Sequence, residues 1–490
     1  MNSALQETLA EKKMKAPPPV LMIGAECAPF AKTGGLADVI GTLTREMKRL
    51  GFDARLMLPF HRVIKDRYRE RVRHLVSFSV DIGGRSQYVG IEQFDGEDIP
   101  VYFIDNEHYF GHAIYCGGNF EGEQYAYFTR AAIESLPMIG FEPRILHVND
   151  WHTAMIPMLL KTQYDRLPQG RCRTVLSIHN LGYQGRFHFD FVSHLLGIES
   201  RYYHPDNIEY HGDANFLKGG IVYADKLVTV SPTYAREILT AHYGEGLEGI
   251  LATRADDLTG ILNGIDVTAF DPASDPFIPY PYDASSLSQK QKNKKALIAE
   301  LGLNLSPEAP LIGMVTRLTR QKGIDLVLRV FEEIIAAGAG FALIGTGDHA
   351  YEHFFRGAAH RTGGRAVGVT EFNDPLARRI YAGCDFFLMP SLFEPCGLNQ
   401  MYSQAYGTIP LTSRVGGLAD TVVDADEDVD DGTGLTFPPT AEGMAEALKR
   451  SLVLFADKAR MAAVQKRGMG RDFSWAKASA AYEQLYQDAL

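Results

Sequence analysis

The sequence predicts an α/β protein made of two doubly wound domains, each with a mostly parallel sheet. Three observations carry this. Short β-like apolar runs alternate with helix-like segments from Val20 onward, and a second such series begins after residue 305. Between them, NGIDVTAFDPASDPFIPYPYD (263–283) is rich in Pro and Asp and poor in periodicity, as an interdomain crossing is. A chain of 490 residues is also too long for one core. The expected limits are therefore a leader over 1–19, a first domain over 20–262 and a second from 263.

The leader, MNSALQETLAEKKMKAPPP, has no apolar stretch for a signal peptide, and with Glu7, Glu11 and no Arg it does not read as a transit peptide. It is expected to be a flexible polar lead-in. The first series of strands is VLMIGAEC, DARLMLP, IPVYFID, ILHV, RTVLSIH and KLVTVS; HLVSFSVDIGGRSQYVGIEQF reads instead as a hairpin turning at Gly83-Gly84 and added to that sheet. The second series is LIGMVT, FALIGTG, RAVGVT, CDFFLMP and TIPLTS. Such sheets bind ligands outside the carboxyl ends of their strands, so the site is expected in a cleft between the two domains.

An apolar fraction of 46% and a charged fraction of 22% describe an ordinary globular protein, and no apolar run reaches the ~18 residues of a membrane span. The net charge of −11 disfavours nucleic acid and anionic membranes as partners, so any anionic substrate needs local cations. Five cysteines, none at CxxC spacing, argue against a disulfide framework or zinc site and for a reducing cytoplasm.

CDFFLMPSLFEPCGLNQMYSQAYG (384–407) reads as a buried strand, a loop carrying Glu394, and a helix starting near Leu398. Gly397 is expected to let the backbone approach a ligand, and the free amides at the helix start to face an anion, phosphate above all. A lone carboxylate beside an anion site makes sense when it faces a neutral or cationic part of the same ligand, as a sugar next to a diphosphate would be. After the first strand, Lys32 precedes Gly34 and Gly35 and a helix from Leu36, a second place for an oxyanion. Arg317 and Lys322 in RLTRQKG can grip a diphosphate by fork and point charge, with Arg320 as an alternative for one of them. His179 ends a strand and is a proton carrier, a metal ligand or a hydrogen-bond donor to sugar hydroxyls, a structural role being the commoner use of a lone His there. Asp150 either accepts from a hydroxyl or caps a helix from Trp151, the cap being the commoner use. GTGD (345–348) lacks the third glycine of a dinucleotide loop, and GxSxG and Walker motifs are absent, so hydrolase, P-loop and dehydrogenase readings lose their support. No HxH, HExxH or carboxylate pair marks a metal site, and none is expected. The pentapeptide GGLAD occurs at 34–38 and 416–420, which reads as one backbone device used in both domains.

Taken together, KTGGLADV, HVNDWHTAMIP, SIHNLGYQG, NGID, RLTRQKG, FEPCGLNQMY and GGLADT, in this order, resemble the bacterial glycogen synthases and plant starch synthases from about residue 20 to the C-terminus. The resemblance implies the GT-B fold, two Rossmann-like domains facing across a deep cleft that closes over the donor. It assigns 20–262 to the glucan acceptor side and 263–473 to the nucleotide-sugar side, with a final helix in 474–490 crossing back to the first domain. It implies transfer of glucose from ADP-glucose to the non-reducing end of an α-1,4-glucan, with retention, without metal or cofactor. By the same resemblance Lys32 binds donor with Glu26 and Asp38 beside it, His179 contacts the glucosyl unit, and Asp150 follows the third motif's strand. Arg317 and Lys322 grip phosphate, Glu394 is the carboxylate of the EPCGL motif, and Asn263 and Tyr115 match less specifically. Asn149 and Leu392 depart from the usual His and Arg.

The chemistry explains the residue types. The leaving diphosphate gains negative charge while the anomeric carbon becomes oxocarbenium-like, so cations and amides belong at the phosphate and a carboxylate at the sugar. With one carboxylate rather than two, Glu394 is read as orienting sugar hydroxyls and steadying positive charge, the leaving phosphate taking the acceptor's proton. The rivals are a transferase using UDP-glucose or another acceptor, and a non-catalytic glucan-binding scaffold. Oligomeric state is left open.

Overall fold

The computed structural model describes residues 17–95, 99–371 and 373–490; of the leader expected over 1–19, residues 1–16 lie outside the described ones. The described chain forms two compact units. One takes in the chain up to Val230, Glu237–Ile261 and Trp475–Leu490; the other takes in Ser231–Arg236 and Leu262–Ser474.

The first unit holds strands β1 (Val20–Ile23), β2 (Ala54–Pro59), β3 (Arg73–Ile82), β4 (Arg85–Asp95), β5 (Pro100–Asp105), β6 (Ile145–Asn149), β7 (Arg173–Ile178), β8 (Arg186–His188), β9 (Glu209–Tyr210), β10 (Asp213–Asn215), β11 (Lys226–Thr229) and β12 (Leu258–Gly260). Nine of them form one sheet in the order β12-β11-β7-β6-β1-β2-β5-β4-β3. From β12 to β5 every pairing is parallel, and β1 and β6 are buried throughout; β1 (VLMI) reads as an unbroken apolar run for that reason, while β6 (ILHVN) carries two buried polar residues that are hydrogen-bonded. The β3–β4 hairpin joins antiparallel on β5, turning at Gly83 and Gly84 with φ of 57° and 68°, the left-handed pair that a two-residue hairpin loop requires. The short strands β8, β9 and β10 form a separate antiparallel sheet, too brief to leave a sequence signal. The closing helix, Trp475–Ala489, packs in this unit: its buried Trp475, Ala478, Tyr482, Leu485 and Tyr486 recur at helical spacing, and Tyr486 meets Phe52 edge-on.

The second unit holds β13 (Leu311–Val315), β14 (Gly340–Ile344), β15 (Ala366–Val369), β16 (Phe386–Met389), β17 (Ile409–Ser413) and β18 (Leu435–Phe437). They form an all-parallel sheet in the order β15-β14-β13-β16-β17-β18. In each unit the order reverses beside the first strand, between β1 and β6 and between β13 and β16. Loops diverge at such switch points and leave a crevice.

No helix among the described residues is long and apolar enough to cross a membrane.

Candidate active-site loops of the two units

In the first unit the loops after β1, β6 and β7 converge. Glu26 is 2% exposed, and its Oε2 accepts from the Thr33 amide and, at 2.8 Å, from the Thr33 hydroxyl; Tyr115 and the Gly34 amide also bond it. Burial outweighs these bonds and raises its pKa above the usual carboxylate value. The helix Gly35–Arg49 follows with no side chain capping its start. A Cβ added to Gly35 would meet nothing within 4 Å, so the space before these amides is open. Lys32 is half-exposed and pairs with Asp38 in the helix's first turn, Nζ to Oδ2 at 2.8 Å. A pair this exposed is worth at most about 1 kcal/mol, so Lys32 is easily handed to a phosphate.

Asp150 sits in the left-handed region at φ 54° and is buried. Its Oδ1 accepts from the His179 amide at 2.7 Å, and the Asn180 amide bonds it as well. Burial, with a smaller push from Glu26, raises its pKa to about 7 against the pull of those amides. The helix expected from Trp151 starts instead at Met155. The capping use is thus corrected: Asp150 fixes the turn after β7, because its left-handed backbone aims the carboxylate across to the neighbouring strand. The His179 ring is set by Asn149. Asn149 Nδ2 donates to the Ile23 carbonyl at 3.0 Å, so its Oδ1 accepts, at 2.9 Å, from His179 Nε2. His179 therefore carries its proton on Nε2 and presents Nδ1 as an acceptor, and burial lowers its pKa to about 4. One rung lower on the same faces, buried His147 bridges Ser177 Oγ at 2.6 Å and Tyr486 Oη at 2.7 Å, so the closing helix underpins this floor.

In the second unit the loops after β13 and β16 lock together. The Leu392 amide donates to the Gln321 carbonyl at 2.8 Å, and Asn399 Nδ2 to the Val315 carbonyl at 2.6 Å. Gly323, at φ 70°, lies so close to the Pro390 carbonyl that a Cβ would stand 1.8 Å from its oxygen. This contact delivers Lys322 to Glu394: Nζ lies 2.6 Å from Oε2, which also accepts from Ser391 Oγ at 2.9 Å. Glu394 is 5% exposed, so it is a buried, paired group. Arg317 is exposed and makes no side-chain hydrogen bond or ion pair among the described residues, which leaves its fork of donors available. Leu392 packs against the core, so the departure from Arg there adds no charge to the crevice.

Gly397 is left-handed at φ 70°, and a Cβ there would stand 2.6 Å from Gln400 Oε1, so the turn itself requires a glycine. Leu398 is the N-cap of a short helix, Asn399–Ala405. The two GGLAD copies are not one device. At Gly35 the motif faces open space and at Gly34 a Cβ would meet only Glu26 Oε1, at 3.9 Å, whereas Cβ atoms on Gly416 and Gly417 would stand 2.0 and 2.1 Å from the Glu394 and Cys396 carbonyl oxygens. The glycines of GTGD are structural too, packing on the Thr316 and Leu318 carbonyls. Asn263 is buried and bonds Cys396 by backbone and side chain, so it supports the Glu394 loop. Sequence reasoning passed over Thr33 and Ser391, small polar residues without a spacing signal, and noted Asn149 only as a departure from the usual His. Among the described residues no three His, Cys, Asp or Glu side chains gather as a metal site would need.

Comparison with known proteins identifies the chain's relatives. Residues 19–253 match the family model described as starch synthase catalytic domain, and residues 309–453 that of glycosyl transferases group 1. The chain is 43% identical over 473 residues to a glycogen synthase of Anoxybacillus flavithermus, covering 96% of this chain and 98% of that one. It is 44% identical, over the same shares, to a glycogen synthase of Geobacillus stearothermophilus. Among solved structures, the catalytic domain of starch synthase IV from Arabidopsis thaliana, bound to ADP and acarbose, superposes with a TM-score of 0.88 at 33% identity, over 96% of this chain and 99% of that one. Sucrose-phosphate synthase from Thermosynechococcus elongatus, at 18% identity and a TM-score of 0.60, shares the fold alone. With its two α/β units and these relatives, the chain belongs to the glycogen synthase and starch synthase family of GT-B glycosyltransferases.

Proposed function

We propose that this enzyme transfers glucose from ADP-glucose to the non-reducing end of an α-1,4-glucan with retention of configuration, without metal or cofactor. The observation that carries the reading is the buried Lys322–Glu394 pair at the β13/β16 switch point, with the free guanidinium of Arg317 on the same loop. A diphosphate takes Arg317 and the remaining donors of Lys322, and a sugar on its far side takes Glu394. In the first unit, Lys32, released from Asp38, and the amides after Gly34 and Gly35 offer positive potential of the kind a leaving phosphate needs. His179 accepts a sugar hydroxyl at Nδ1, Asp150 holds it in place, and Glu26 and Tyr115 form the wall beside Lys32. The starch synthase bound to ADP and acarbose supports a nucleotide and a glucan as the two ligands. Five free cysteines, four of them buried, fit work in the reducing cytoplasm.

Nucleotide release from ADP-glucose and from UDP-glucose, each with and without maltooligosaccharide, tests this. Glucan-dependent release from ADP-glucose is expected; preference for UDP-glucose or indifference to glucan would overturn it.

A further inference from the structure

The second GGLAD copy and the segment Ser231–Arg236 take no part in the function so far, yet both close on the Glu394 loop. Three successive carbonyls of that loop are each held. Glu394 O accepts from the Gly417 amide at 3.1 Å, Pro395 O from Ser231 Oγ at 2.7 Å, and Cys396 O from Gln400 Nε2 at 3.1 Å. Ser231 is fully buried, and its Oγ also accepts from the Tyr234 amide at 3.1 Å. Its segment is in turn gripped by Asp420, the last residue of the motif. Asp420 Oδ2 accepts from the Thr233 amide at 2.8 Å, and Oδ1 from the Thr233 hydroxyl at 2.7 Å, while Arg236 donates to that hydroxyl at 2.7 Å. Segment 231–236 is flanked in sequence on both sides by residues of the first unit, so the chain enters the second unit only for this contact and leaves it again.

From this arrangement we infer that Asp420, Thr233 and Ser231 are positioning residues, which fix the Pro395 carbonyl and thereby the aim of the Glu394 carboxylate. The inference rests on the proposed role of Glu394. Pro395 has no amide to donate, so its carbonyl is the one backbone handle at that position, and the Ser231 hydroxyl holds it. Carboxylate aim matters most where charge develops, so loosening the loop lowers turnover more than donor binding. A segment that only held the fold together would act on stability and on both kinetic constants alike.

Thr233→Val removes the hydroxyl at nearly constant shape, Thr233→Ser restores it, and Glu394→Gln is combined with Thr233→Val to close a cycle. Turnover with ADP-glucose and maltooligosaccharide is expected to fall roughly 5- to 30-fold in Thr233→Val, the worth of one hydrogen bond, with donor KM held within about twofold. Thr233→Ser is expected to recover it, and Thr233→Val to cost nothing further in the Glu394→Gln background. Normal turnover in Thr233→Val, or an undiminished cost in that background, would overturn the positioning role. Normal turnover in Glu394→Gln alone would instead overturn the functional reading on which it rests.

Discussion

Glu394→Gln separates chemistry from architecture, because the same carboxylate does both. The amide keeps the shape and an oxygen that can accept from Lys322 and Ser391, but it loses the charge. Lys322 then stands, 17% exposed, with its partner's countercharge gone. Full removal of a buried partner costs about 3–5 kcal/mol, and with the acceptor kept and Lys322 reaching water we expect about 1–2 kcal/mol. For a unit of this size that is a melting shift of roughly 2–8 °C, within what a folded enzyme tolerates. The loss of transition-state stabilisation is expected to be larger, a fall in turnover of roughly 10²–10⁴, or about 3–5 kcal/mol. Turnover at saturating ADP-glucose and glucan, beside thermal melting of the same variant, gives both numbers. Near-normal turnover would refute the catalytic role; a collapsed melting transition would show that the carboxylate chiefly holds the loop.

Arg317→Ala is expected to raise the donor KM and leave glucan affinity alone, since in the proposed site this guanidinium meets only the diphosphate; initial rates against each substrate decide it. Gly35→Ala should fold normally and raise the donor KM, as its Cβ enters open space, while Gly417→Ala should lower the melting temperature by forcing its Cβ against the Cys396 carbonyl. His147 and His152, each held down to about 3 by burial, and His61 and His179, each at about 4, are neutral in the fold and basic at 6.5 when unfolded. The unfolded chain thus binds more protons below pH 6.5, so stability is full above that value and falls as the pH drops toward 4. Asp150 and Glu26, with raised values, oppose this over part of the range but are outnumbered; a melting temperature that rises between pH 7 and pH 5 would contradict the balance. Activity should survive EDTA, because cationic side chains serve the phosphate; loss restored by magnesium or manganese would reverse that assignment.

The sheets were legible because buried parallel strands are mostly apolar, and so were the loops at their carboxyl ends, where glycine and lone charges interrupt the pattern. Most pairing was not. That Lys322 lies against Glu394, or that Asp150 reaches the His179 amide, depends on which strands are neighbours in the sheet, and sequence spacing is blind to that. GGLAD shows the limit most plainly: one pentapeptide opens to space in one unit and is jammed against carbonyls in the other, because a glycine records closeness of approach but not what approaches.

Retaining glucosyl transfer from ADP-glucose is measured directly by proton NMR of the first linkage formed on a maltooligosaccharide. A new α-1,4 linkage at the non-reducing end is expected, appearing with ADP in step and lost in Glu394→Gln. A β-linkage, free glucose without chain extension, or an α-linkage formed equally well by Glu394→Gln would contradict it.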